Sequence, residues 1–99
     1  MRNYEGMFII NPALNEEGLE QAISFIEEEI AKNGGEIKER DRWGRRRLAY
    51  PISRHREGFY YRLGFLASEK TVEQLKKSSR LNESILRTLI TKKSNKSTT

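Results

Sequence analysis

Arginine and aromatic side chains alternate through residues 41–65, DRWGRRRLAYPISRHREGFYYRLGF, punctuated by glycines and a proline. Within residues 40–62 there are eight arginines and no lysine. A guanidinium is planar, always charged, forks onto phosphate oxygens and stacks on flat rings. Interleaved with tyrosine and tryptophan, it suits recognition of a polyanion better than bond-breaking chemistry. The alternative for any single arginine is an exposed, solubilising charge, which contributes little alone.

Other chemistries find fewer residues. There is no cysteine, which removes thiolate nucleophiles, thiolate metal ligands and disulfides together. His55 is the only histidine and sits in a charged stretch, SRHRE, with neither a second ligand nor an orienting carboxylate beside it. Glu27, Glu28 and Glu29 are consecutive, so on a helix they splay apart instead of converging on a metal or a substrate. No Walker motif, G-x-G-x-x-G or metal-ligand spacing occurs, so neither a cofactor nor a metal is expected, and no small-molecule substrate.

The 99 residues suffice for one domain with a modest core. Their net charge of +5 is unevenly distributed. Residues 1–39 carry a balance of −6, residues 40–62 of +6 and residues 63–99 of +5. Such separation makes one side of a small protein attractive to polyanions. The start, MRNYEGMFII, has no apolar run of signal-peptide length, and no stretch approaches the roughly 20 apolar residues that span a bilayer. A soluble, cytoplasmic protein with no membrane association is expected.

The elements that must position the arginines follow from periodicity and punctuation. YEGMFII (4–10) reads as a strand stopped by Asn11-Pro12. A helix follows, with Asn15 as its cap, Glu16 and Glu17 in its first turn, Leu19, Ile23, Ile26 and Ile30 on one face with Ala22 beside them, and Asn33-Gly34-Gly35 as its stop. Residues 36–52 form a long strand in which Ile37 and Trp43 are odd while Leu48, Tyr50 and Ile52 are even, so Gly44 is expected to be a β-bulge. Leu48, Tyr50 and Ile52 are then read as core, and Pro51 places the strand at a sheet edge. Ser53–Gly58 reads as the turn into a third strand, FYYRLGFL (59–66). Its odd residues Phe59, Tyr61, Leu63 and Phe65 face the core, leaving Tyr60 and Arg62 on the other face. Ser68 caps a second helix ending near Arg80. Residues 85–91 form a fourth strand with Leu86, Thr88 and Ile90 inward and Arg87 outward. KKSNKSTT has no apolar anchor, and residues 94–99 are expected to be a disordered basic tail.

The order βαββαβ defines an α+β, ferredoxin-like domain over residues 1–93, with two helices packed on one face of a four-stranded antiparallel sheet. Strands two and four are its edges, and the open face carries Tyr60, Arg62 and Arg87. An RNA-recognition module of the RRM type shares this order, but matching its third-strand glycine would expose Glu57, Phe59 and Tyr61 and bury Arg62. A small phosphate-ester hydrolase such as acylphosphatase has the same fold type, yet the loop after the first strand here is NPALNEEG, acidic and without arginine. A generic protein-interaction module is the remaining alternative.

WGRRRLAYPI (43–52) followed by GFYYRLGF (58–65), with RNYEGMFIINP (2–12) at the start, resembles the family of the sixth protein of the bacterial small ribosomal subunit, over residues 2–93. The resemblance implies a non-enzymatic structural constituent of the small ribosomal subunit. It implies binding to the central domain of 16S ribosomal RNA as a heterodimer with the eighteenth small-subunit protein. It implies RNA-binding roles for Arg2, Tyr4, Arg45, Arg46, Arg47, Arg87, Lys92 and Lys93, and a surface for the protein partner at Tyr60 and Arg62.

Overall fold

The computed structural model describes residues 1–52 and 54–93; Ser53 and the tail 94–99, expected to be disordered, lie outside the described residues. Six elements follow in the anticipated order: β1 (Arg2–Ile10), α1 (Glu16–Lys32), β2 (Glu36–Ile52), β3 (His55–Ala67), α2 (Glu69–Leu81) and β4 (Ile85–Lys92). The strands make one antiparallel sheet in the order β2-β3-β1-β4, so β2 and β4 are the edges. The core lies between the sheet and both helices. Phe8, Ile10, Leu63 and Phe65 meet Ile23, Ile26 and Ile30 of α1 and Val72 and Leu75 of α2 there.

Local chemistry accounts for the helix ends. The Asn15 side chain accepts from the Gly18 N–H at 2.8 Å, and the Ser68 hydroxyl accepts from the Thr71 N–H at 3.2 Å, each satisfying a donor that the first turn leaves unpaired. Gly34, with φ +89°, turns the chain out of α1. The Thr71 hydroxyl donates to the Asn33 carbonyl at 2.7 Å and ties the start of α2 to the end of α1. Glu29 is a second tie. It is buried, accepting from the Ser78 hydroxyl at 2.8 Å and pairing with Lys32 at 2.9 Å. Lys32 first, and Ser78 after it, hold the Glu29 carboxyl below its ordinary range. The three consecutive glutamates therefore do not all splay into solvent: Glu29 follows Ile26 by three residues and lands on the packed side.

Gly44 is the expected bulge: its φ is +85°, and the β2–β3 register shifts between Arg42 and Gly44. A larger irregularity follows. Arg47 pairs with Glu57 and Ile52 pairs with His55, so β2 takes five residue steps where β3 takes two. The surplus chain arcs over the helix-free side of the sheet. This bears out the burial of Leu48 and corrects the expectations for Tyr50, Ile52 and the turn. Leu48 is buried, but on the open side, where it shares an apolar depression with Ile9. Tyr50 is 59% exposed and is not core, and Ile52 is only half-buried. The turn is tighter than Ser53–Gly58, because β3 already begins at His55.

On β4, Thr88 lies opposite Phe8 and Ile90 opposite Gly6, on the helix side, while Arg87 lies opposite Ile9 on the open side, all as expected. The buried position at the start of the strand belongs to Ile85 and not to Leu86, because the β1–β4 register shifts between Ile9 and Ile10.

Candidate nucleic-acid and partner interface

The arginines sort by face, and face decides which charges remain available. Arg40, Arg42 and Arg45 of β2 turn toward the helix side. Arg40 Nε donates to Glu27 at 3.1 Å, and Arg42 grips Glu20 with two bonds of 2.6 and 2.9 Å. The Glu20 bond raises the guanidinium's pKa, and Arg42 in turn lowers that of Glu20. Arg45 Nη2 donates to the Pro12 carbonyl at 2.7 Å. Beneath them the Tyr61 hydroxyl donates to Glu27. Burial, and then this bond, push the phenol's ionisation well above its ordinary value. Part of the charge asymmetry along the sequence is thus consumed internally, between an acidic helix and a basic edge strand.

Arg62 occupies the middle of the open face and is caged. Its Nε donates to Glu5 at 2.9 Å, Nη1 to Asp41 at 2.8 Å and Nη2 to Glu39 at 3.1 Å, from both flanking strands, and only 14% of its side chain is exposed. The Glu5 bond, with help from Glu39 and Asp41, raises its pKa. One cation among three carboxylates leaves this region negative. Arg62 accordingly offers no free positive charge, and what a neighbour meets here is mostly carboxylate.

The hairpin end of the same face is different. Ile9 and Leu48 are buried at the bottom of a depression of about 280 Å³ that Met7, Tyr60 and Leu89 also line. Gly58 permits this packing, since a Cβ there would collide with Ile9 Cγ2. Aromatic and basic groups ring the depression. Trp43 stacks on Tyr60 with centroids 6.5 Å apart, and Arg46 lies over the indole at 5.5 Å. On the far side Arg87 Nη1 donates to the Tyr50 hydroxyl at 3.0 Å, which lowers the phenol's pKa and raises that of the guanidinium. Among the described residues Arg46, Arg47 and Arg87 make no ion pair with any carboxylate.

The eight residues expected to meet RNA do not form one cluster. Arg46, Arg47 and Arg87 border the hairpin end, and Arg45 lies on the helix side of the same edge. Arg2, Lys92 and Lys93 gather at the other end of β1, where Tyr4 pairs with Lys92 and the Lys93 N–H donates to the Asn3 carbonyl at 2.8 Å. Eight strand steps separate Arg2 from Ile10, on the order of 25 Å. Tyr4 itself belongs to the core: it is 5% exposed and its ring stacks on Phe65 at 5.9 Å. It shares strand parity with Phe8 and Ile10, so its ring faces the helices and is closed to RNA. Of the two residues expected at a partner surface, Tyr60 borders the depression, while Arg62 is held in its cage.

Reading the sequence for charge overlooked Trp43, which organises Arg46, and the apolar depression itself. A signal for the second was present in MFII (7–10): four consecutive apolar residues on a strand bury both faces, so Met7 and Ile9 required a cover of their own. Among the described residues no group of three or more His, Cys, Asp or Glu is placed to hold a metal ion. No helix among them is long and apolar enough to cross a membrane.

The fold and this surface define a ferredoxin-like α+β protein with an open, partly apolar sheet face edged by unpaired cations. The family profile described as Ribosomal protein S6 matches residues 3–92. The small ribosomal subunit protein bS6 of Clostridium novyi (strain NT) is 40% identical over 90 residues, covering 91% of this chain and 95% of that protein. The bS6 protein of Mycolicibacterium paratuberculosis is 41% identical over 90 residues, covering 91% and 94%. The crystal structure of 30S ribosomal protein S6 from Thermotoga maritima superposes with a TM-score of 0.88 at 30% identity, covering 93% of this chain and 87% of that one. The chain belongs to the ribosomal protein S6 family. It is a ribosomal protein of the small subunit, working with the ribosome in the cytoplasm, and not an enzyme. The hydrolase alternative is thereby set aside.

Proposed function

We propose that this protein binds the central domain of 16S ribosomal RNA jointly with the eighteenth small-subunit protein. The observation that carries the reading is the pairing of features at the hairpin end: an uncovered apolar depression bordered by Arg87, with Arg46 on the neighbouring Trp43 ring and Arg47 next along β2, none of the three with a carboxylate partner among the described residues. Cations left free in this way neutralise phosphate and release counterions, while a partly apolar surface gains from being covered by protein. The partner docks over Ile9, Leu48, Tyr60 and Leu89, with the carboxylates around Arg62 as a polar rim. RNA lies along the hairpin arginines, with Arg2, Lys92 and Lys93 reaching it at the far end of the sheet and Arg45 from the edge.

A domain of this size offers limited area to a folded RNA, given that single DNA-binding modules bury only roughly 600–1,000 Å². Shared binding enlarges that area and supplies shape readout of an A-form junction, whose deep groove side chains do not enter. The test is a salt titration of binding to a central-domain RNA fragment, with and without the eighteenth protein. Binding that tightens with the partner and weakens linearly in log salt supports the reading. Binding no better than to an unrelated duplex under both conditions rejects it.

A further inference from the structure

A second basic surface lies away from the open face, in a cleft of about 340 Å³ between α2 and the edge strand β4. Lys76 and Arg80, one helical turn apart on α2, form one wall, and Thr88 of β4 faces them from the helix side of the sheet. Ile85 contributes apolar floor. Arg87 borders the cleft, but its guanidinium bonds to Tyr50 on the opposite face, so the charge here comes from α2. Among the described residues no carboxylate lines the cleft, and neither Lys76 nor Arg80 makes an ion pair.

Ser79, also lining the cleft, is 1% exposed, and its hydroxyl has no hydrogen-bond partner among the described residues. A buried hydroxyl without a partner is costly and uncommon. Serines within a helix commonly return this bond to the preceding turn, and Ser79, in the last turn of α2, leaves it unmade at the base of a cationic cleft.

We infer that the α2–β4 cleft binds a phosphate group, with Lys76 and Arg80 as its charges and the hydroxyls of Thr88 and Ser79 as its short-range hydrogen-bond donors. Two cations and two hydroxyls around a small volume match a tetrahedral oxyanion, and the absence of carboxylate removes the usual competitor. The phosphate is that of a nucleic-acid backbone or a free phosphate. Either source is independent of the open face, and the inference goes beyond the joint binding proposed above.

The test follows amide shifts of the isotope-labelled full chain titrated with inorganic phosphate, against chloride at matched ionic strength, and then with a short RNA duplex. Phosphate should move the amides of residues 76–80 and 86–88 together. Lys76→Ala/Arg80→Ala should weaken the phosphate affinity about tenfold or more, as loss of charge-assisted bonds does. Ser79→Ala should also weaken it while leaving the thermal midpoint equal or higher, since it deletes an unpaired hydroxyl. A duplex that moves the same amides identifies the backbone as the source, and response to inorganic phosphate alone identifies a free phosphate. Shifts confined to the hairpin and Lys92–Lys93, or α2 shifts that persist in Lys76→Ala/Arg80→Ala, overturn the inference. Because the probe is inorganic phosphate, failure to bind ribosomal RNA leaves this result unaffected.

Discussion

Arg62 and Arg87 lie on the same open face of one sheet, on strands that both flank β1, yet they live in different regimes. Arg62 meets Glu5, Asp41 and Glu39 at 2.9, 2.8 and 3.1 Å and is neutralised within the molecule. Among the described residues Arg87 bonds only a phenol, Tyr50, and keeps its charge for a neighbour. The difference comes from the strands beside them. Around Arg62, β1 and β2 present carboxylates across the register. Around Arg87, β1 presents Met7 and Ile9, and the arc of β2 presents Leu48 and Tyr50. An arginine therefore keeps its charge for a neighbour only where no carboxylate bonds its side chain. One half of the face serves its own stability, and the other remains for a partner.

The largest expected effect falls on the free set. Arg46→Ala, Arg47→Ala and Arg87→Ala combined should weaken RNA binding by about 10- to 100-fold at moderate salt and reduce the log–log salt slope by roughly 2 to 3. Circular dichroism should stay native, and an unchanged slope would remove these residues from the RNA surface.

Arg62→Ala should do the reverse. It leaves three carboxylates facing one another, and denaturant melts should show a loss of about 1–2 kcal/mol, modest because those carboxylates are half-open to screening solvent. The RNA salt slope should be unaltered, and a clear flattening of it would break the distinction between caged and free arginines.

Tyr50→Phe sharpens the comparison further. The bond from Arg87 holds the Tyr50 pKa below the ordinary range of a phenol, so the phenolate forms over a less alkaline interval than that of a free tyrosine. A negative charge then stands beside Arg87, and RNA affinity should fall over that interval. In Tyr50→Phe the fall should vanish, with affinity near neutral pH changed only about two- to threefold, the scale of one modest hydrogen bond. A persistent alkaline fall in the variant would assign it to another group.

The smallest effect on RNA affinity belongs to Trp43→Ala. It removes the ring beneath Arg46 and the stack on Tyr60, together about 0.5–1.5 kcal/mol, measured as a shift in thermal midpoint with a slight loss of RNA affinity. A loss as large as that of the triple variant would mean that Trp43 contacts RNA directly.

The fold was largely legible because it rests on local rules. Asn15 and Ser68 announce their helices, alternation in FYYRLGF assigns the inner face of β3, and the parity break around Trp43 requires the bulge at Gly44. The cage around Arg62 was not legible, since it depends on which residues of β1 and β2 stand across from position 62, and register is a tertiary quantity. Tyr50 failed for a related reason. Alternation assumes that both strands of a hairpin advance equally, and from residue 47 to residue 52 β2 does not. Tyr4 is a different case: family likeness drew it toward RNA, while its parity with Phe8 and Ile10 assigned it to the core.

The sheet order has a consequence for how the molecule comes to exist. β1, the first strand synthesised, sits in the interior of the sheet between β3 and β4, and its pairing with β4 is completed only by residue 92. A nascent chain that has not yet delivered residues 85–92 leaves one edge of β1 open, with Ile9 and Met7 beside it. Closure must await residue 92, and contacts this far apart in the chain slow the final step. A protein whose workplace is the ribosome thus cannot close its own sheet until residues 85–92 have been delivered.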